Sequence, residues 1–237
     1  MKQLIVFISM SFVLSSFLVT KKVDIQKENI NIKVVNQKEN INTKVDIVKP
    51  YALDKFSRNV SSRGPIKCPK IKLISYKGSH IRYHKPVTIN HAFKEKLIAF
   101  EKLVKEVSIE IYGRSPHKIR HLGTYNCRRI GGNRNMLSEH AFGNGIDVAS
   151  FSFPRLRRGE KLPEGIPKSI KRSFNVDMLK HWNDKRTAKG LHQRFLHTLG
   201  HRLINSEIFR VMLGPSFPGH KNHFHLDNAP YDVVSIF

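Results

Sequence analysis

One carboxylate constrains this chain more than any other residue. Asp147 lies inside the apolar run Ile146-Asp147-Val148-Ala149, part of a stretch from Gly145 to Phe153 with the pattern of a strand. Left unpaired there it would be costly, so the fold has to bring it a cation or several hydrogen-bond donors. The nearest imidazole in the sequence is His140, within Ser138-Glu139-His140-Ala141-Phe142-Gly143-Asn144-Gly145. A separation of seven residues is too long for adjacent turns of one helix, but Gly143 and Gly145 permit a tight reversal that carries both side chains to one point. A second group, Gly219-His220-Lys221-Asn222-His223-Phe224-His225-Leu226-Asp227, stands farther along the chain. On a strand His223 and His225 share a face with their Cβ atoms about 7 Å apart, while Phe224 and Leu226 take the other face. Two imidazoles and a carboxylate are the donors of a catalytic zinc that keeps one position open for water. By contrast His80, His84, His91, His117, His181, His192, His197 and His201 sit among Lys and Arg without ligand spacing, and are read as surface or packing residues.

Charge and composition narrow the partners. Lys and Arg number 42 against 18 Asp and Glu, a formal net charge of +24, which admits nucleic acid, an anionic membrane surface or an acidic polymer outside the cell. With 40% hydrophobic residues and 15 Phe, the chain has too much to bury for intrinsic disorder. Two cysteines exclude a disulfide-rich miniprotein and a cysteine-based zinc finger. Gln3 to Thr20 is uncharged and rich in Leu, Ile, Val and Phe, bracketed by Lys2 and by Lys21-Lys22. Residues 1–20 therefore read as a signal peptide or an N-terminal membrane anchor, and export takes the chain away from the chromosome, so no nucleic-acid partner is expected.

Residues 21–63 read as a spacer. KVDIQKENINI, KVVNQKENINT and KVDIVKP align at an eleven-residue period with Lys22, Lys33 and Lys44 in register. Copies rich in Asn and Ile and lacking Ala and Leu make a poor helix, so a low-complexity linker is expected, closed by the turn-rich Ser57 to Pro69. The folded domain is placed at 64–237. Within it Ile71 to Ser75, Lys85 to Ile89, Lys118 to Arg128, Gly145 to Phe153, Ile208 to Leu213 and Asn222 to Asp227 read as strands, the third leading into a glycine-rich loop. Asn90 to Ile111 and Lys189 to Asn205 read as helices. This order predicts an α+β domain whose small, largely antiparallel sheet is flanked by helices. Cys68 and Cys127 have one possible pairing; a bridge between them suits an exported chain, the alternative being two buried thiols.

These motifs carry a resemblance. Ser138-x-His140-x-x-Gly143-x-Gly145-x-Asp147 followed by His223-x-His225 resembles the zinc peptidases that cleave D-alanine-containing peptides of peptidoglycan, the clan of D-Ala-D-Ala carboxypeptidases and murein endopeptidases. YNCRR, LSEHAFGNGIDVASF, LGPSFPGH and HFHLD are more closely similar to the bacterial extensin-like C-terminal domain within that clan, over residues 65 to 231. The chain is unlike the proline-repeat wall proteins behind that name, having 11 Pro and no Ser-Pro-Pro run. The resemblance implies a hedgehog-like fold with zinc held on the sheet by His140, Asp147 and His225. It implies that His223 is a non-ligand catalytic histidine, that His220 is a second candidate for the general base, and that Arg128 binds substrate, with Arg129 as its alternate and Ser138 beside them. Two features depart from the pattern. A second cysteine pair is missing, and so is the glutamate that precedes the terminal histidines and serves as base in other clan members.

The expectation that follows is a monomeric zinc metallopeptidase acting on peptidoglycan, exported to the periplasm and either free there or anchored to the inner membrane by residues 3–20. An anionic membrane surface is a further partner on charge grounds. Two other readings stand beside it: a non-catalytic zinc-containing wall-binding module, and a basic polyanion-binding protein with incidental histidines.

Overall fold

Apolar periodicity switches repeatedly between the strand and helix periods, and the elements follow those switches. The computed structural model describes residues 50–237; the apolar segment 1–20 and the repeats between 22 and 49 lie outside them. In chain order the elements are β1 (Leu73–Tyr76), β2 (Arg82–Tyr83), β3 (Val87–Asn90), α1 (His91–Tyr112), β4 (Lys118–His121), β5 (Arg129–Ile130), β6 (Asn133–Leu137), β7 (Gly145–Phe153), β8 (Phe174–Asp177), α2 (Met178–His181), α3 (Leu191–Ser206), β9 (Val211–Leu213), β10 (Phe224–Asp227) and β11 (Val233–Ser235). This is a mixed α+β architecture. In α1 the residues Phe93, Leu97, Phe100, Val104, Val107 and Ile111 recur at helical spacing and all are buried. Asn90 starts that helix by accepting the Ala92 N–H at 2.9 Å, and Gly113 caps its end. Among the described residues no helix is long and apolar enough to cross a membrane.

The central strand β7 organises a seven-stranded sheet. Along one edge it pairs antiparallel with β4. Its other edge is shared, the first half pairing with β10 and the second with β8, both antiparallel. Beyond β10 come β9 and β11, and beyond β4 comes β2; the β9/β11 and β4/β2 pairs are parallel. A bulge falls in the middle of β7. Arg120 pairs with Ser150 but His121 with Val148, so Ala149 has no partner on β4, the extra residue of a β-bulge. Without it a strict period of two would put Asp147 on the same face as Phe151 and Phe153. With it, Ile146, Val148, Phe151 and Phe153 all enter the core with α1 and α3 residues, while Asp147 joins Ser150 and Ser152 on the opposite face.

The sequence reading and the fold differ in several places, three of them next to the site or at the domain's start. The strand expected from Lys118 to Arg128 stops at His121, beyond which the Leu122 N–H still donates to the Asp147 carbonyl and the Gly123 carbonyl accepts from the Asp147 N–H. The chain then turns aside as a loop. The glycine-rich stretch after it is a hairpin, β5 and β6 joined at Gly131-Gly132, a turn that glycine pairs favour. Finally, the folded unit begins before residue 64. Leu53 is buried with Leu137, Ala141 and Phe142, and Tyr51 and Phe56 pack on that cluster. The Arg58 Nε and Nη2 donate to the two Glu139 carboxylate oxygens at 2.7 and 3.0 Å. A few anchors between 51 and 58 thus tie a polar, turn-rich segment to the domain, where average composition reads as linker.

Cys68 and Cys127 are bonded, with Cα atoms 6.0 Å apart across a sequence separation of 59. The bridge fastens the segment before β1 to the loop that precedes Arg128. Closing a loop of that length restricts the unfolded chain, so the Cys68→Ser/Cys127→Ser variant is expected to lose about 4 kcal/mol of unfolding free energy in urea titrations.

Helices α1 and α3 meet over an aromatic cluster that contains a titrating group. The His192 Nδ1 lies 2.9 Å from the Tyr112 hydroxyl, and its ring stacks on Phe174 at 5.2 Å. Burial, with a smaller effect from His181, lowers this imidazole from 6.5 to about 4. The unfolded chain therefore binds the extra proton first, and stability is fully present above about 6.5 and falls as pH drops toward 4. The wild type is expected to lose about 2 kcal/mol between pH 7 and pH 5 on account of this one group. His192→Gln, compared by urea unfolding at the two pH values, should flatten the slope by that amount.

Candidate metal centre

The site begins with a reversal between two short elements. The Ser138 hydroxyl accepts the His140 N–H at 3.4 Å, starting a single 3-10 turn over Glu139–Phe142 that ends at Gly143 with φ 57°. A Cβ on Gly143 would lie 2.7 Å from the Leu73 Cδ2 and 2.8 Å from the Asn90 nitrogen, so glycine is required both for the left-handed conformation and for the close approach. Strand β7 then carries Asp147 back toward His140. On the neighbouring strand, His225 stands directly opposite Asp147 in the antiparallel register. At Gly145 a Cβ would lie 3.2 Å from that of Asp227 and 3.7 Å from the Cε1 atoms of His140 and His225, so its absence leaves room where the two imidazoles meet.

Three donor atoms converge there. The His140 Nε2 is 3.2 Å from the Asp147 Oδ1 and 3.3 Å from the His225 Nδ1, and the His225 Nδ1 is 2.8 Å from the same oxygen. Each imidazole has its other nitrogen engaged by a group that only accepts. The His140 Nδ1 donates to the Thr124 carbonyl at 2.5 Å, and the His225 Nε2 donates to the Asp227 Oδ2 at 2.7 Å. In the neutral tautomers this leaves the His140 Nε2 and His225 Nδ1 lone pairs aimed at one another and at the Asp147 carboxylate. Three lone pairs at such distances repel unless a positive charge sits among them. The donor set therefore fits a divalent cation of borderline softness, and its outer partners fix the tautomers as metal-bound histidines require.

Electrostatics at the cluster agree. Burial acts to raise the Asp147 carboxyl, but hydrogen bonds from His140 and His225 outweigh it and hold the group well below the usual carboxylate range. Burial alone would lower His225, yet Asp147 and Asp227 on its two nitrogens raise it to about 9. A metal ion competes with that proton for the same lone pair, so metal uptake is coupled to proton release.

The other residues singled out in the sequence separate into two groups. His220, His223, Arg128 and Ser138 line, together with Asp147 and His225, a cleft of about 530 Å³. The His223 Nε2 is 3.6 Å from the Asp147 Oδ1, and its Nδ1 donates to the Asn222 Oδ1 at 2.7 Å. The His220 ring lies 4.8 Å from that of His223 and 5.8 Å from that of His225, with its Nδ1 donating to the Pro218 carbonyl at 3.0 Å. Burial lowers His220, and lowers His223 to about 4. Strand β10 begins at Phe224 rather than Asn222, so His223 leads into it from a turn, yet His223 and His225 both approach the Asp147 Oδ1, at 3.6 and 2.8 Å. Arg129 is placed elsewhere. Its Nη2 donates to the Ser61 and Gly64 carbonyls at 2.8 and 3.1 Å, and it is absent from the cleft wall.

Sequence reasoning missed two contributors. Asp227 orients His225, and the alternation in His223-x-His225-x-Asp227 already put it on the same strand face. The Thr124 carbonyl has no sequence signal, because any residue supplies a carbonyl.

The family described as Extensin-like protein C-terminus matches residues 49–235, and the chain belongs to it. The matched span takes in the packed segment 51–58 and runs through the cluster of His140, Asp147 and His225 to β11. No curated protein and no solved structure matches the chain.

Proposed function

We propose that this protein is a zinc-dependent peptidase that hydrolyses amide bonds in the D-alanine-containing stem peptides or cross-links of peptidoglycan. The observation that carries the reading is the convergence of the His140, Asp147 and His225 donors with both imidazole tautomers set by Thr124 and Asp227. These three residues would hold the ion. When bound, zinc with three protein ligands supplies a Lewis acid for the scissile carbonyl and lowers the pKa of a water to about 7.

The chain's own residues divide the remaining work. His223, with its Nδ1–H held by Asn222, presents the Nε2 lone pair toward the cleft as the proton acceptor, and His220 stands behind it as the next base. No glutamate takes that role in the terminal motif. Arg128 lines the cleft as the cation for a substrate carboxylate or the developing oxyanion. The sheet-borne site accords with the hedgehog-like fold of the D-Ala-D-Ala carboxypeptidase clan, and the apolar segment 3–20 accords with export to the periplasm.

Metal analysis of the purified chain, followed by digestion of purified muropeptides with and without chelator, tests the reading. Stoichiometric zinc and chelator-sensitive cleavage are expected. Zinc without cleavage would turn the protein into a wall-binding module, and absence of zinc would leave the histidines without a metal role.

A further inference from the structure

The bulge at Ala149 has a second effect on the face that carries Asp147. It sets Ser150 and Ser152 on that face, paired with Arg120 and Lys118 on β4 and with Asp177 and Asn175 on β8. Lys118, Arg120 and Lys180 border a groove of about 470 Å³ over these serines. It lies along β7 about 10–17 Å from Asp147. Past the ends of β7 and β8 a second cleft, of about 1050 Å³, is lined by Arg155, Arg157, Arg158, Lys171 and Arg172. Arg155 follows Ser152 by three residues, within about 10 Å of chain, so the two clefts adjoin.

The cations of these clefts are uncompensated. Among the described residues none of them is in an ion pair, whereas Arg58, Arg202 and Arg210 each have a carboxylate partner. Both local carboxylates are bound to backbone: the Asp177 Oδ1 accepts the Lys180 N–H at 3.3 Å and the Glu160 Oε2 accepts the Arg157 N–H at 2.7 Å. His84, on the wall of the first groove, registers the field, lowered by burial and then by Lys85, Arg120 and Lys118. A run of cations without carboxylate partners along open grooves concentrates anionic ligands. The cations are exposed and border open grooves that follow β7 away from Asp147, so an extended chain leaving the metal centre along that strand meets them in turn.

We propose that this basic track is a second subsite, holding an extended carboxylate-bearing strand of the same polymer whose amide bond enters the metal centre. The proposal rests on the peptidoglycan reading of that centre. Its test is binding rather than turnover. The full chain carrying His223→Ala, which prevents digestion, is pelleted with insoluble peptidoglycan, with the same material after carboxyl amidation, and with phosphatidylglycerol vesicles. The comparison chain adds Lys118→Gln, Arg120→Gln and Lys180→Gln, with zinc content and unfolding midpoint checked against the parent. Affinity for native peptidoglycan should fall on the order of 10-fold in the triple variant and by a similar factor on amidation, and it should weaken with salt. Equal binding by the two chains, indifference to amidation, or preference for the vesicles would each overturn the track. Failure of muropeptide cleavage with this binding pattern intact would instead count against the catalytic reading alone.

Discussion

His225→Ala is expected to abolish zinc retention at the proposed site, whereas His223→Ala keeps the ion and loses the proposed turnover on the order of 10²- to 10⁴-fold. The difference follows from position. The His225 Nδ1 is one of three convergent donors and has a carboxylate behind it at 2.7 Å, so its loss leaves two protein ligands where three are needed to retain zinc. The His223 Nε2 stands at 3.6 Å from the Asp147 Oδ1, outside the cluster of donors but on the cleft wall. Asp227→Asn should fall between them, weakening metal affinity by roughly 10- to 100-fold through the tautomer and basicity of His225. Metal content by mass spectrometry, with circular dichroism to confirm folding, reads the series. Equal zinc loss from His223→Ala and His225→Ala would overturn the division of roles.

The sequence made the cluster legible because its logic is local. A carboxylate in an apolar strand, a glycine-permitted reversal and an alternating His-x-His each state a geometric requirement, and the fold brings Asp147, His140 and His225 within hydrogen-bonding distance of one another. The long helix α1 was legible for the same reason, six apolar residues at helical spacing between an Asn cap and a Gly stop. What escaped depends on long-range pairing. The bulge at Ala149 exists only relative to β4. Strand β8 is four residues long, too short for alternation to separate it from loop, and it becomes a strand by completing the edge of β7 that β10 leaves free. The Thr124 carbonyl and the turning-away of Arg129 are backbone and packing outcomes that residue type does not encode. The segment 51–58 was misread for the opposite reason. Its composition is that of a linker, and its anchoring rests on a few side chains whose partners lie about 80 residues away.

That segment carries the largest expected effect on folding. A chain beginning at residue 64 should fail to fold, whereas one beginning at residue 49 should fold. Arg58 and Glu139 are 5% and 2% exposed, and the Arg58 Nη1 also donates to the Leu53 and Phe56 carbonyls, each at 2.6 Å. Removing one partner of such a buried pair leaves an uncompensated charge and costs about 3–5 kcal/mol. Loss of buried Leu53 adds about 2–5 kcal/mol, so together they remove most of the 5–15 kcal/mol typical of a domain. Arg58→Met alone isolates the charge, and Arg58→Met with Glu139→Gln should recover much of the loss, because the stranded carboxylate is then gone. Urea unfolding of these variants reads the energies, and a chain from residue 64 as stable as one from 49 would refute the argument. The damage should reach the metal as well. Glu139 accepts from the Asn144 side chain at 2.5 Å, and Asn144 in turn accepts the Tyr51 hydroxyl at 2.5 Å, so this network brackets the turn between His140 and Asp147. Arg58→Met is therefore expected to weaken zinc binding although Arg58 contributes no ligand, and zinc affinity should recover with stability in the double variant.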